Sequence, residues 1–194
     1  MNYTEYKHLH DRILNREIAD PLYERNIYID YVKLSKTRLE RWEKRLGQMD
    51  PLAEVLPRTN RSTHWIIITE PWCGDAAHAI PFIMEMIREH PGITYEIQLR
   101  DSEPFLIDQY LTNGSKNIPK LIVRDLKGYD LFTWGPRPME AQKLFETLRD
   151  QQESRDKINI AIQKWYYADK GKAICEEIAR LWEDMVLDPQ PSLR

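Results

Sequence analysis

The sequence has 194 residues, with 28 basic and 31 acidic side chains and a formal net charge of −3 at pH 7. Its hydrophobic fraction of 42% fits about one folded domain and excludes a disordered chain. The acidic excess gives no electrostatic basis for nucleic-acid binding, which requires a surplus of cations. The longest apolar run, residues 65–68, is far shorter than the roughly 20 residues of a membrane span.

The N-terminus and the cysteines indicate the cellular compartment. The first eight residues lack the apolar centre of a secretory signal. The two cysteines, Cys73 and Cys175, are too few for a disulfide framework. We therefore expect a cytoplasmic protein without membrane contact. Zinc-spaced Cys/His clusters, a G-x-G-x-x-G motif and a P-loop are absent from the sequence, so we expect no metal and no cofactor.

Helical periodicity fills the first 57 residues in two apolar stripes. Asp20-Pro21 closes the first stripe, and Gly47 and Asp50-Pro51 close the second. The second helix carries six cations, which we expect to form a solvated face: Lys33, Lys36, Arg38, Arg41, Lys44 and Arg45. The polar residues 58–63 are typical of a connector.

From residue 65 short strands alternate with helices, which is typical of an α/β fold. We predict strands at 65–69, 93–99, 120–123 and 129–132, with a helix at 74–90. Ser102 is a candidate N-cap for a helix that has Pro104 in its first turn and ends at Asn113-Gly114. Lys127-Gly128 predicts a hairpin between the last two strands. The order β-α-β, α, β-β-α predicts a mixed four-stranded sheet with helices on both faces.

Helices also follow this core. Pro138 opens one helix, and two more follow with Gly171 between them. We expect one compact domain in three parts. These are an N-terminal helical extension at 1–63, a core at 64–150 and a C-terminal helical extension at 151–194.

Cys73 is the principal candidate for chemistry. It lies where the first strand meets the first core helix, at the N-terminal end of that helix. Free backbone N–H groups and the helix dipole stabilise a thiolate there, and the thiolate is the nucleophilic form of cysteine. Pro81 lies inside the helical pattern and should kink the helix. The position of Cys73 therefore favours reactivity.

These residues resemble the thioredoxin family. Trp72-Cys73-Gly74 followed by Pro81 is similar to that family's Trp-Cys-Gly-Pro-Cys segment and its helix-kinking proline. Residues 118–123 are similar to the segment with the family's cis-proline, which packs beside the active cysteine. Residues 129–135 are similar to the last strand and the glycine loop that follows it. The resemblance covers residues 64–150 and implies a thioredoxin-like fold with Pro119 in the cis form.

Longer phrases resemble a bacterial thioredoxin-like subgroup with a Trp-Cys-Gly-Asp-Ala motif in place of Cys-x-x-Cys. Its members carry extra helices at both ends and are mostly uncharacterised. The similar phrases are residues 70–76, 111–114 and 134–138. This resemblance would account for both helical extensions.

Departures from thioredoxin change the chemistry that Cys73 can perform. Ala76 replaces the second cysteine of the motif, so Cys73 cannot close a disulfide within it. Ile67 stands at the position of the family's buried carboxylate. Both losses exclude a dithiol reductase. Asp75 replaces the motif proline and should raise the pKa of the thiol, whereas the helix N-terminus should lower it, and the sign stays open.

Three interpretations of Cys73 remain open. In the first, it forms a mixed disulfide with glutathione or a protein thiol partner and an outside thiol resolves it, which makes the protein a monothiol oxidoreductase. In the second, it is a recognition residue in a non-redox groove that binds a peptide or small ligand. In the third, it is a relic. A pure interaction role for the helical extensions is a further hypothesis, and the sequence leaves the oligomeric state undefined.

Seven neighbours of Cys73 are candidate binding or supporting residues: Trp72, Gly74, Asp75, Asp101, Ile118, Pro119 and Arg137. Trp72 would be a platform for a substrate chain, or simply a half-buried tryptophan. Asp75 would bind a cation or carry a proton, or only start the helix. Asp101 would face Trp72 or Cys73, or precede or cap the next helix. The backbone of Ile118 could pair with a peptide like a strand.

Arg137 is expected near the cis-proline loop. Its guanidinium could pair with Asp75 or Asp101, or bind a carboxylate or phosphate. Two other residues, one on the first core helix and one on the last helix, have plainer expectations. We expect His78 to face solvent, and Cys175 to be a small buried hydrophobe rather than a resolving thiol.

Overall fold

The computed structural model describes residues 1–47, 56 and 61–187. The predicted break at Asp50-Pro51 and the first part of the connector at 58–63 therefore lie outside the described residues. Three helices precede the sheet: α1 (Tyr3–Leu14), α2 (Pro21–Glu24) and α3 (Asn26–Leu46). The sheet region contains β1 (Thr63–Thr69), α4 (Gly74–Ile87), β2 (Ile93–Leu99), a 3-10 helix (Leu106–Gln109), β3 (Lys120–Asp125), β4 (Asp130–Trp134) and α5 (Met139–Asp150). The helices α6 (Arg155–Asp169) and α7 (Lys172–Leu187) follow.

The four strands form one mixed sheet in the order β2-β1-β3-β4. β1 pairs parallel with β2 and antiparallel with β3, so that Ile67 lies between Ile97 and Leu121. β3 and β4 are antiparallel. The central strand β1 is buried from Trp65 onward, as its continuous β-branched run predicts. The predicted α/β class and mixed four-stranded sheet are confirmed.

The helix α4 is the buried centre of the helical layers. Eleven of its 14 residues are buried, so it lacks a solvent-facing side. α3 packs along it, and the rings of Trp42 on α3 and Phe82 on α4 lie 5.1 Å apart. α7 also packs on α4. The N-terminal end of α4 is consequently enclosed by chain segments that lie far apart in the sequence.

The prediction of a helix from Ser102 to Asn113 is wrong. The backbone N–H of Phe105 donates to the carbonyl of Ser102 at 2.9 Å, which closes a turn instead of a helix start. Phe105 itself has φ 54, a left-handed conformation that interrupts any right-handed helix. Only the 3-10 helix Leu106–Gln109 forms in this stretch. The cap roles predicted for Ser102 and Asp101 therefore do not occur.

Within the residues that the structure describes, every helix is too short or too polar to cross a membrane.

Candidate functional site

Cys73 lies between the start of α4 and the loop before β3. Its side chain is 6% exposed, and it is the N-cap residue of α4. The sulfur accepts a hydrogen bond from the backbone N–H of Ala76 at 3.4 Å and donates one to the carbonyl of Ile118 at 3.3 Å. The Ile118–Pro119 peptide bond is cis. The thiol is thus held by two backbone groups, one on each side.

The surroundings of Cys73 decide its protonation state. Burial, followed by the negative charge of Asp75, raises the pKa of the Cys73 thiol to about 12. The N–H group of Ala76 and the positive charge of Arg137 lower the pKa by smaller amounts. The question that the sequence left open is therefore answered in favour of burial and Asp75. At neutral pH the group is a thiol and a hydrogen-bond donor.

Asp75 and Arg137 form an ion pair beside the thiol. Arg137 Nη2 lies 2.7 Å from Asp75 Oδ2, and the two side chains are 17% and 14% exposed. The Tyr166 hydroxyl donates to Asp75 Oδ1 at 3.1 Å, and Arg137 Nη1 donates to Gln142 at 3.1 Å. The guanidinium also stacks on the Phe145 ring, 4.3 Å from its centroid. Both charges are therefore paired within the protein.

Trp72 is covered by an arginine rather than exposed as a bare platform. The guanidinium of Arg100 lies 4.7 Å from its ring centroid. Arg100 in turn forms a bidentate pair with Asp101, at 2.6 and 2.8 Å. Asp101 thus turns towards Arg100, and Arg100 is the residue that reaches the site.

A cleft of about 890 Å³ opens above these residues, between α3, the loop before α4, the loop before β3 and α6. Six of the predicted site residues line it: Trp72, Cys73, Gly74, Asp75, Ile118 and Arg137. Pro119 and Asp101 are not among the described residues that line it. Of the described residues, none forms a cluster of three or more metal-binding side chains.

A family model described as thioredoxin matches residues 23–155. The chain belongs to the thioredoxin family. The match begins before the predicted core and includes α3, so this helix is part of the matched region. No curated protein matches this thioredoxin-family chain.

Two solved structures have a similar fold. One is a protein of unknown function from Pseudomonas aeruginosa, with 18% identity and a TM-score of 0.55 over 77% of this chain and 84% of the other. The other is an HIV epitope-scaffold, with 15% identity and a TM-score of 0.58 over 94% of this chain and 98% of the other. At these identities the likeness establishes a shared fold and nothing finer.

The expectation that His78 faces solvent is wrong. His78 is fully buried, and its ring stacks on Tyr166 with centroids 4.3 Å apart. Trp42 Nε1 lies 2.8 Å from its Nδ1, and Gln163 Oε1 lies 2.6 Å from its Nε2. Burial lowers the pKa of His78 to about 4, so the ring is neutral at physiological pH. α3 and α6 both cover this side of α4, which the position of His78 relative to Cys73 could not reveal.

Three further residues of this thioredoxin-family site were not predicted. Arg38 and Gln163 line the cleft from α3 and α6. Glu70, at the end of β1, is 4% exposed and accepts a hydrogen bond from the Asp101 backbone N–H at 3.0 Å. Burial raises the pKa of Glu70 to about 7. The position of Glu70 three residues before Cys73 is the sequence signal that could have identified it.

Proposed function

We propose that the cleft binds a peptide or small ligand without thiol–disulfide turnover, and that Cys73 is a protonated thiol in its floor. The observation that carries the proposal is the hydrogen bond from Cys73 Sγ to the carbonyl of Ile118. A thiolate cannot donate this bond, so ionisation would leave the buried carbonyl without its thiol partner. The same surroundings that hold the thiol in place therefore oppose its activation.

The position of the second cysteine supports the same conclusion, because it does not provide a resolving thiol for Cys73. Ala76 occupies the position of a resolving cysteine. The other cysteine, Cys175, lies buried on α7 and is not one of the described residues that line the cleft. Burial raises the pKa of Cys175 to about 12 as well. A mixed disulfide at Cys73 would form only if an external disulfide reached a nearly inaccessible sulfur, and its resolution would depend entirely on an external thiol.

The cleft itself has the features of a ligand site. Its volume lies within the range of about 300–1,000 Å³ typical of small-molecule pockets. Apolar side chains from α3 and α6 line it together with a few polar groups, which is the usual composition of such sites. Ligand binding needs only these walls, whereas redox turnover needs an exposed thiolate.

The test is a challenge with oxidised glutathione and with iodoacetamide at pH 7.5, on the Cys175→Ser variant, so that only Cys73 is counted. A pKa near 12 in place of 9 predicts that native Cys73 reacts roughly 1,000-fold more slowly than a free cysteine. Mass spectrometry should detect no glutathione adduct until urea unfolds the chain. Adduct formation at the rate of a free thiol would overturn the proposal.

One observation favours the second candidate, monothiol exchange with glutathione or a protein thiol partner. The Ala76 N–H group at 3.4 Å from the sulfur would stabilise a thiolate if a docking partner displaced the Ile118 contact. The Cys73 thiolate would then attack a disulfide, expel one thiolate and form a mixed disulfide that an outside thiol resolves. With this second candidate we also expect a cytoplasmic location and membership of the bacterial subgroup.

A further inference from the structure

We propose that the ligand of this cleft is an organic acid with an apolar body, whose anionic group binds to Arg38 and to the side-chain amide of Gln163. Trp42 and His78 are positioning residues that hold this amide with its NH₂ group towards the cleft. This inference rests on the proposed function, because it names the chemistry of the ligand that the same cleft binds.

Arg38 is a partly buried cation whose charge is not neutralised. Its Nη1 lies 3.0 Å from the point that a Cβ on Gly74 would occupy, so the guanidinium sits directly over the start of α4. Burial lowers the pKa of Arg38, and the negative charge of Asp75 only partly offsets this. In the described part of the chain, Arg38 makes neither a hydrogen bond nor an ion pair. Such a group gains from an anionic ligand.

The other cations that reach the cleft are paired or exposed. Arg100 is paired with Asp101, and Arg137 with Asp75. Lys116 is paired with Asp108 at 2.6 Å. Arg155 lies exposed at the rim. Arg38 is therefore the buried positive charge that an incoming anion would neutralise.

The orientation of the Gln163 amide follows from its neighbours. The indole N–H of Trp42 can only donate, so His78 Nδ1 must accept from it. A neutral His78 then carries its proton on Nε2, and the atom of Gln163 at 2.6 Å must be the amide oxygen. The amide NH₂ group consequently points away from His78, to within 3.8 Å of the same point above Gly74. Among the described residues it has no acceptor.

The two donors therefore flank one space that the missing side chain of Gly74 leaves open. A carboxylate has two oxygens and can accept from a guanidinium and an amide at once. Apolar side chains continue the cleft outward from this point. Leu34 on α3 is 48% exposed and Ile160 on α6 is 56% exposed, and both line the cleft with Trp72 and Phe145. An anionic head beside an apolar chain matches this arrangement.

The test compares octanoate with octanamide, its neutral counterpart of equal length, by calorimetry on the full chain. Octanoate should bind at least about tenfold more tightly than octanamide. Arg38→Gln and Gln163→Glu should each weaken octanoate binding by about tenfold or more and leave octanamide within about twofold. Gln163→Glu is the sharper variant, because its carboxylate still accepts from His78 but repels an anion. Lys164→Gln, which removes an exposed cation of α6 next to Gln163 but outside the cleft lining, is the matched control and should change neither affinity more than about twofold.

Trp42→Phe tests the positioning role. It removes the N–H group that fixes the His78 tautomer and keeps a ring in the core. Octanoate affinity should fall by about threefold to tenfold with octanamide unchanged, since the amide can now turn over. Nitrogen-15 NMR of the ring should show the neutral Nε2–H tautomer of His78 in the wild type and a mixture of the two neutral tautomers in the variant. If Trp42→Phe does not fold, the Gln163→Glu comparison still tests the anion site, and the wild-type His78 tautomer still tests the positioning role.

The outcomes separate this inference from the proposed function. Equal binding of octanoate and octanamide would overturn the anion assignment and leave ligand binding in place. Binding of neither compound would overturn the inference as a whole. Rapid glutathione adduct formation at Cys73 would instead overturn the proposed function. A His78 proton on Nδ1 would overturn the positioning role of Trp42.

Discussion

The floor of the cleft and its α3–α6 wall differ in how their polar groups are satisfied. On the floor, formed by Cys73, Asp75, Ile118 and Arg137, the thiol has a backbone partner and the two charges pair with each other, and one buried nitrogen, Arg137 Nε, has no partner among the described residues. On the wall, formed by Leu34, Arg38, Ile160 and Gln163, the strong donors have no protein acceptor among the described residues. A satisfied polar group adds stability, whereas an unsatisfied one opposes it. The comparison indicates that the floor maintains the fold and that the wall recognises the ligand.

The difference also follows the sequence. The floor residues come from the motifs that resemble thioredoxin, whereas the wall comes from α3, which lies in the matched family region outside those motifs, and from α6, which begins where the match ends. The two helices enclose the groove on both sides, and the sulfur at its centre is nearly inaccessible. Substitutions on the floor should therefore change stability, and substitutions on the wall should change binding.

The largest expected effect is Gly135→Ala, which would break the floor. Gly135 has φ 108, and a Cβ there would overlap the Pro119 carbonyl oxygen next to Ile118. Backbone strain and the displaced loop should lower the free energy of unfolding by about 3–4 kcal/mol, measured by urea denaturation. Gly128→Ala is the control, because it has φ 86 but open space around it, and should lose only about 1 kcal/mol. Equal losses would show that the loop can move and that the floor is not tightly packed.

A second effect of similar size is a pH dependence of stability that comes from the buried Glu70 carboxyl, three residues before Cys73. Its pKa rises from 4.5 to about 7 on folding, so the folded state holds the proton more tightly. The extra stability is complete below pH 4.5 and is lost as the pH rises to 7, by up to about 3 kcal/mol. Glu70→Gln should abolish this slope in urea denaturation between pH 4.5 and 8.

The comparison with Glu70→Gln is necessary because His78 acts in the opposite direction. Its pKa is lowered to about 4, so its contribution grows as the pH rises from 4 to 6.5. Subtracting the pH profile of the variant from that of the wild type cancels the His78 contribution to stability. Glu89→Gln, at an exposed position beyond the other end of α4, is the control and should leave the pH profile unchanged. A slope that survives in Glu70→Gln would assign it to another group.

The fold was predictable because its signals are local. The β-branched run of β1, the hairpin at Lys127-Gly128 and Pro138 before α5 each specify an element by backbone preference or periodicity. The predicted helix at Ser102 is wrong because that prediction also relied on local signals alone. Ser102 and Pro104 form a helix-start pattern, but Phe105 adopts a left-handed conformation that no local preference of phenylalanine favours.

Only half of the site was predictable. The floor residues lie in motifs, and the pairing of Arg137 with Asp75 was one of three stated alternatives. The wall depends on how α3 and α6 pack around α4, which is tertiary information. Arg38 sits in a row of six cations with nothing to distinguish it from its neighbours, and His78 is buried by residues 36 positions before it and 85 after it. Spacing within one helix cannot report contacts of this range.

Asp75→Asn should have a smaller effect, because its pair with Arg137 is only partly buried. Removing one charge leaves the other unpaired at 17% exposure, which should lower stability by about 2 kcal/mol. Loss of the Asp75 charge should also lower the pKa of Cys73, so alkylation should become faster in the same variant. Asp101→Asn, in the more exposed pair with Arg100, should lose less than about 1 kcal/mol. A larger loss for Asp101→Asn than for Asp75→Asn would contradict the distinction between floor and periphery.

Arg38→Met should change stability least, and together with Arg137→Met it distinguishes the wall from the floor most directly. Arg38→Met replaces a desolvated, unpaired cation by an apolar side chain of similar length, so the free energy of unfolding should stay constant or rise by about 0.5–1 kcal/mol. Arg137→Met, on the floor, should lose about 2 kcal/mol, because it leaves the Asp75 carboxylate unpaired. Two arginines that line the same cleft would then respond with opposite signs. If both variants lose equal stability, Arg38 is a structural cation like Arg137, and the wall is no more specialised for binding than the floor.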